Sequence, residues 1–216
     1  MELSLFYLAS LLFSVIIALI NKKSLESRRL SLFIPYLSLV FIQELSVFIF
    51  RQYDSKSSTA LIYNIYRPVS ACFFAWIFYQ IPLNFKARKP ILWIQSLFLI
   101  TTIIAYSFIA PITAYNRFLS FVGGFVITLY GIFFLFNYFN LDDTIEEKKW
   151  RPVTWIATGL VIFYPIVNIS FVLYKYINAI KATIFGSLLS NAMPMLMSIF
   201  MYSCFAYAFY LCKKKN

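Results

Sequence analysis

The chain has 216 residues, of which 62% are hydrophobic, 21% aromatic and only 12% charged, and its mean hydropathy is +0.78. A soluble domain of this length needs a polar skin that so little charge cannot make, which excludes an ordinary water-soluble enzyme. The formal net charge of +11 would suggest a polyanion partner if it were clustered, but it is spread over the connections between apolar runs.

Seven such runs are read at about 3–20, 30–50, 60–82, 91–110, 118–139, 153–175 and 182–211. Each approaches the roughly 20 residues that cross about 30 Å of hydrocarbon. They predict an all-α polytopic membrane protein, a single transmembrane bundle over 1–216, with no soluble domain left over. The first run lacks the positive flank that precedes the apolar part of a signal peptide: Glu2 stands before it, while Lys22, Lys23, Arg28 and Arg29 follow. It is read as the first span. Alternate connections then hold 13 Lys and Arg against 5, the remaining one being Arg67. Because cytoplasmic loops collect positive charge, this places the N-terminus outside, the C-terminus in the cytoplasm, and the whole chain in the inner (plasma) membrane as a multi-pass protein. No nucleic-acid partner is needed to account for the basic balance, and the bilayer is the expected partner.

Along the chain, Pro90 and Pro152 are expected just before or at helix starts, where a missing N–H costs nothing, with Pro82 and Pro111 at helix exits. Pro35, Pro68, Pro165 and Pro194 are expected inside spans 2, 3, 6 and 7 as kinks. Span 2 carries Gln43 and Glu44; span 3 carries Arg67 within "IYNIYRPVSA". After the loop and terminal residues are set aside, Glu44 is the one acid and Arg67 the one base inside a span. A charge near the bilayer centre costs about 2.5–3.5 kcal/mol on insertion scales, so each is expected to face a partner or a wet cavity. Counted from the expected helix ends, Glu44 lies about 9 Å deep and Arg67 about 10.5 Å, which predicts an ion pair between neighbouring spans. The stripe Ala60, Tyr63, Asn64, Arg67, Ser70, Ala71, Phe74 faces the bundle, leaving Ile62, Ile65, Val69, Phe73 and Trp76 for lipid or tight packing. Gly123 and Gly124 of span 5 are expected to allow close helix approach. The same depth argument collects Gln43, Glu44, Tyr63, Asn64, Arg67, Asn168 and Asn191 around a polar pocket in the outer half. A purely structural ion pair, with asparagines bonding between helices, stands level with that reading.

The stretch "NLDDTIEEKKWRP", at 140–152, mixes Asp142, Asp143, Glu146 and Glu147 with Lys148, Lys149 and Arg151. It reads as a solvated loop or helix extension, with a cytoplasmic protein partner at 141–151 as the sharper alternative. The tail "KKKN" is a topology anchor. Cys72, Cys204 and Cys212 form no disulfide framework; Cys212, beside Lys213, is a helix-end cysteine or a site for acylation.

No His occurs, which removes bis-His haem, His-rich zinc sites, HExxH proteases and Ser–His dyads. No cofactor or metal site is expected, and no catalytic residue. The 16 tyrosines and 25 phenylalanines are read as interfacial belts and packing. The segment from Tyr63 to Trp93, with "YNIYRPVS" followed by aromatics and "KARKPILW", resembles a group of short bacterial seven-helix integral membrane proteins with an Asn-x-Tyr-x-Pro start to span 3. That resemblance implies the seven-helix fold and no activity. A second comparison is with the SWEET and PQ-loop sugar transporters, built as three-plus-one-plus-three helices. Asn64 to Asn191, Pro35 to Pro165 and Pro68 to Pro194 are offset by 127, 130 and 126 residues. The resemblance implies substrate asparagines at Asn64 and Asn191, although no Pro–Gln dipeptide occurs. The expected function is a non-enzymatic membrane protein binding a small or amphipathic ligand, as sensor or accessory subunit. A small-solute transporter is the alternative, and a lipid-modifying enzyme is less favoured.

Overall fold

The computed structural model describes residues 2–53, 59–81, 85–141, 144–181, 183–184 and 187–213. Its elements are α1 (Glu2–Ile20), α2 (Lys22–Ser27), α3 (Phe33–Tyr53), α4 (Ala60–Gln80) and α5 (Phe85–Ile104), which continues into a π-helical turn (Ala105–Ile109). They are followed by α6 (Arg117–Phe139), α7 (Thr144–Val172), α8 (Tyr174–Ala179), β1 (Thr183–Ile184), β2 (Ser187–Leu188) and α9 (Leu189–Lys213). Seven helices, α1, α3, α4, α5 with its π turn, α6, α7 and α9, are long and apolar enough to cross a membrane. Pro82, Asp142, Asp143 and the tail at 214–216 lie outside the described residues.

Three departures from the expected elements have local causes. The first connection is not a plain loop: α2 is held by Leu25 and Leu30, both fully buried. It closes with Arg29 in the left-handed region (φ 60°), Leu30 N–H donating to Leu25 O at 2.9 Å and Arg29 N–H to Glu26 O at 3.1 Å. This satisfies helix-end carbonyls that would otherwise be orphaned. The charged stretch before span 6 is the first part of α7, because Trp150 and Val153 already sit in the core. Pro152 is therefore inside α7, as Pro90 is inside α5, whereas Pro35 falls in the first turn of α3, where its missing N–H is harmless. Span 7 begins at Leu189, later than expected, because Thr183–Ile184 and Ser187–Leu188 pair as antiparallel strands, Thr183 with Leu188 and Ile184 with Ser187.

The spans follow one another around the bundle. α1 packs on α3 and α9, α9 on α7, α7 on α6, α6 on α4 and α5, and α5 on α4. Glycine makes the tightest of these seams possible. A Cβ on Gly131 of α6 would stand 2.7 Å from Val161 Cγ2 of α7, and one on Gly159 of α7 would stand 3.1 Å from Cys204 Cβ of α9. Small residues at such seams replace the hydrophobic drive that lipid does not supply. The α3–α4 seam is different and is filled by long aromatics: Tyr36 stacks on Phe73 with centroids 3.8 Å apart, and Phe33 meets Phe73 edge-on at 5.0 Å.

Burial is unequal along the bundle. The main apolar core gathers Leu11–Ala18 of α1, Phe33–Val40 of α3, Phe74–Ile81 of α4, Val126–Tyr138 of α6, Trp150–Leu160 of α7 and Met201–Cys212 of α9. By the alternating direction of the spans, all of these lie toward the end that holds the C-terminus. Tyr7, Tyr66 and Tyr164, which lie nearer the N-terminal end of the bundle, and Tyr36, which meets Tyr66 from α3, pack against this core. Hydroxyl-bearing rings therefore form the floor of the other half.

Candidate functional site

Glu44 is set by α3 into that upper half. Tyr63 of α4 donates its hydroxyl to Glu44 Oε2 at 3.2 Å, and the Tyr7 hydroxyl of α1 lies in the field of the same group. Arg51, two turns along α3, is the cation whose field reaches Glu44. The expected Glu44–Arg67 ion pair is absent. Its cause is register: α3 is set so that Glu44 meets Tyr63, and Arg67 stands four residues, about 6 Å, further along α4. Sequence depth compared the two helix by helix and could not see that slide.

Arg67 turns instead to the 110–116 connection. One guanidinium nitrogen donates to the Tyr115 hydroxyl, and the guanidinium carbon lies 4.5 Å from the centre of the Tyr115 ring. Its Nη1 is buried with no hydrogen-bond partner among the described residues, and Gln43 Nε2 shares that condition. Tyr66, on the same face of α4, lies in the fields of both Glu44 and Arg67. Its hydroxyl is 3.1 Å from that of Tyr36, which in turn donates to Ser70 Oγ at 3.0 Å. Tyr36, Tyr66 and Tyr164 are each partly buried and pack against the apolar core. Tyr202 of α9, 4% exposed, closes the group against Tyr7 at 6.1 Å between ring centres.

The remaining sequence-derived site residues separate from this group. Asn64 is fully buried and engaged: its Nδ2 donates to Ile112 O and Ala114 O, each at 2.7 Å, while Asn116 N–H approaches its Oδ1 at 3.5 Å. It shapes the connection that presents Tyr115 to Arg67. Asn168 of α7 donates to Phe121 O at 3.1 Å and fills the gap over Gly124, whose Cβ would stand 2.9 Å from it. Asn191, in the first turn of α9, has its side chain on an exposed surface. Thus Glu44 and Tyr63 are in direct contact, Arg67 is a neighbour through Tyr66, Gln43 adds a free buried donor, and the three asparagines sit elsewhere. The tyrosines of the floor carry no sequence signal beyond lying well inside their spans. A second buried polar chain, Tyr130 to Gln95 Oε1 at 2.9 Å and Gln95 to Cys72 Sγ at 3.1 Å, joins α6, α5 and α4 and satisfies its own members. Cys212 is buried, which fits a packed helix-end cysteine.

Fold and apolarity together define the class: a polytopic protein with seven helices able to cross a membrane. No protein-family model, no curated protein and no solved structure matches the chain.

Proposed function

We propose that this chain is a non-enzymatic seven-helix protein of the inner (plasma) membrane that binds a small or amphipathic ligand in its tyrosine-floored half, as a sensor or accessory subunit. The observation that carries this reading is the contrast between the two halves of the bundle. One is apolar and aromatic; the other holds an acid and a guanidinium that do not pair with each other, with tyrosine hydroxyls beside them. An acid and a base kept apart at depth are expensive if they serve packing alone. The orientation proposed from the Lys and Arg bias puts this half on the outer side. It leaves the exposed Glu147, Lys148 and Arg151 at the cytoplasmic start of α7 as the contact for a protein partner. The likeness to short bacterial seven-helix proteins is compatible with this reading and adds no activity.

The transporter alternative draws less support. Its two asparagines would meet at a substrate, but Asn64 is occupied by three backbone groups and Asn191 lies on the exposed face of α9. Its repeat would make α3 and α4 pack as α7 and α9 do, yet the former meet through aromatic rings and the latter along closely approaching backbones.

The test is native mass spectrometry of the protein purified in mild detergent. A molecule retained by the wild type and lost from the Tyr36→Phe/Tyr66→Phe variant is expected. A wild type carrying nothing above the detergent control would overturn the reading. Proteoliposome uptake lost in Asn191→Leu would instead establish transport.

A further inference from the structure

The separation of Glu44 from Arg67 says what the ligand must look like. Glu44 and Arg67 are opposite charges in one half of the bundle, and the register of α3 against α4 leaves each with its own tyrosine partner, Tyr63 for the acid and Tyr115 for the base. Tyr63 contacts the acid, and Tyr66 lies in the fields of both charges. The carboxylate accepts from the Tyr63 hydroxyl, which orients it without neutralising it. The guanidinium uses one nitrogen on Tyr115 and leaves Nη1 buried without a partner among the described residues. Arg51 exerts its field on Glu44 along α3, and among the described residues no acid faces Arg67: the groups around it are Tyr66, Tyr106, Tyr115 and Tyr164.

Resting on the ligand-binding reading above, we propose that the interior between α3 and α4 takes a dipolar group, its ammonium on the Glu44 carboxylate and its oxyanion on the free Nη1 of Arg67. The order along the bundle sharpens the assignment. The ammonium subsite is level with Tyr63, and the oxyanion subsite is four residues, about 6 Å, farther from the bundle end. An ammonium near the surface and a phosphate one step deeper is the order in which an aminophospholipid headgroup presents its charges. Free phosphoethanolamine carries the same two groups at the same spacing. The shared chemistry is therefore an ammonium and a phosphate two carbons apart.

The experiment measures binding of short-chain phosphatidylethanolamine, short-chain phosphatidylglycerol and O-phosphoethanolamine to the purified full chain by native mass spectrometry, with thermal shift in parallel. The ethanolamine lipid is expected to bind more tightly than the glycerol lipid, which has the phosphate and lacks the ammonium. Glu44→Gln should weaken the ethanolamine lipid by about tenfold to a hundredfold and leave the glycerol lipid unchanged, because only the first loses a charged partner. Arg67→Gln should weaken both, and Arg67→Lys should recover part of the loss. Tyr63→Phe, which keeps both charges, guards against a folding artefact: it should weaken the ethanolamine lipid less than Glu44→Gln does. Competition by O-phosphoethanolamine would identify a soluble ligand, and its failure to compete a lipid one; both outcomes support the dipolar site. Equal binding of the two lipids, or an ethanolamine affinity untouched by Glu44→Gln, would overturn it. If another molecule still co-purifies through Tyr36 and Tyr66 in that case, the dipolar site falls while the ligand-binding reading stands; if nothing binds, both fall.

Discussion

Glu44 keeps its place in an apolar bundle through the Tyr63 hydroxyl, and that fixes what single substitutions should do. Tyr63→Phe removes that donor and leaves the carboxylate short of a partner at a site where water is scarce. The expected cost is about 1–3 kcal/mol in reversible unfolding from detergent micelles. Glu44→Gln made in the same chain should recover part of it, because a neutral amide needs less from Tyr63; a double-mutant cycle between them should show coupling of about 0.5–1.5 kcal/mol. Glu44→Gln and Arg67→Leu, which do not touch, should by contrast add to within about 0.5 kcal/mol in ligand-free protein. Non-additivity of several times that size would restore the direct ion pair that the sequence suggests. Asn64 makes a different prediction. Asn64→Leu strips the 110–116 connection of its bonds to Ile112 and Ala114, so amide exchange there should accelerate while the exchange of α6 beyond its first turn stays unchanged. Loss of protection throughout α6 would show that Asn64 supports the helix and not the connection.

At the scale of elements, the α6–α7 seam is the place where one methyl group matters most. The Cβ of Gly131→Ala would stand 2.7 Å from Val161 Cγ2, with the Ala157 carbonyl 3.3 Å away on the same side, so the two helices must part or Val161 must turn. Overpacking of this kind costs about 1–3 kcal/mol, and Val161→Ala should return much of it by vacating the contested volume. Melting temperatures of the two single variants and the double one decide the matter. An additive double variant would mean that the seam relaxes elsewhere. The spans themselves were legible because hydropathy integrates over about 20 residues and tolerates local error. The inward stripe of α4 was legible because helical spacing fixes which residues share a face: Asn64, Ser70, Ala71 and Phe74 are buried, while Ile65, Val69 and Trp76 are exposed. What sequence could not supply was the slide of one helix against the next. Depth counted from helix ends gives a height on each span separately, and α3 is set against α4 by the Tyr36–Phe73 stack rather than by matched ends. The tyrosine floor was illegible for a related reason. A tyrosine has an apolar ring and a polar tip, so an interfacial anchor and an interior donor look alike in sequence.

For the whole molecule, the unequal halves and the proposed orientation combine into one measurable statement. The dry half carries most of the basic connections, including Lys22, Lys23, Arg28 and Arg29, and is stitched together there by Arg28 donating to the Lys149 carbonyl. The tyrosine-floored half faces the side with fewer basic residues. If positive charge sets the orientation, the tyrosine-floored half lies on the outer side and the stitched half meets the cytoplasm. Cys204 and Cys212 are buried and Cys72 is half-buried, so a variant with all three changed to alanine provides a background for single reporter cysteines. In that background Thr113→Cys, on the connection held by Asn64, should react with a membrane-impermeant maleimide in intact cells. Ser24→Cys, in α2, should react only after the membrane is opened. The opposite pattern would invert the bundle, place the Glu44 half in the cytoplasm, and move the search for its ligand to soluble metabolites and inner-leaflet lipids. Labelling of both reporters in intact cells would mean mixed insertion, which the excess of 13 basic residues over 5 on alternate connections argues against. Shifting that balance supplies the internal control. Replacing Lys22, Lys23, Arg28 and Arg29 by glutamine removes four of the 13 and should raise the fraction of inverted chains, read as Ser24→Cys labelling from outside.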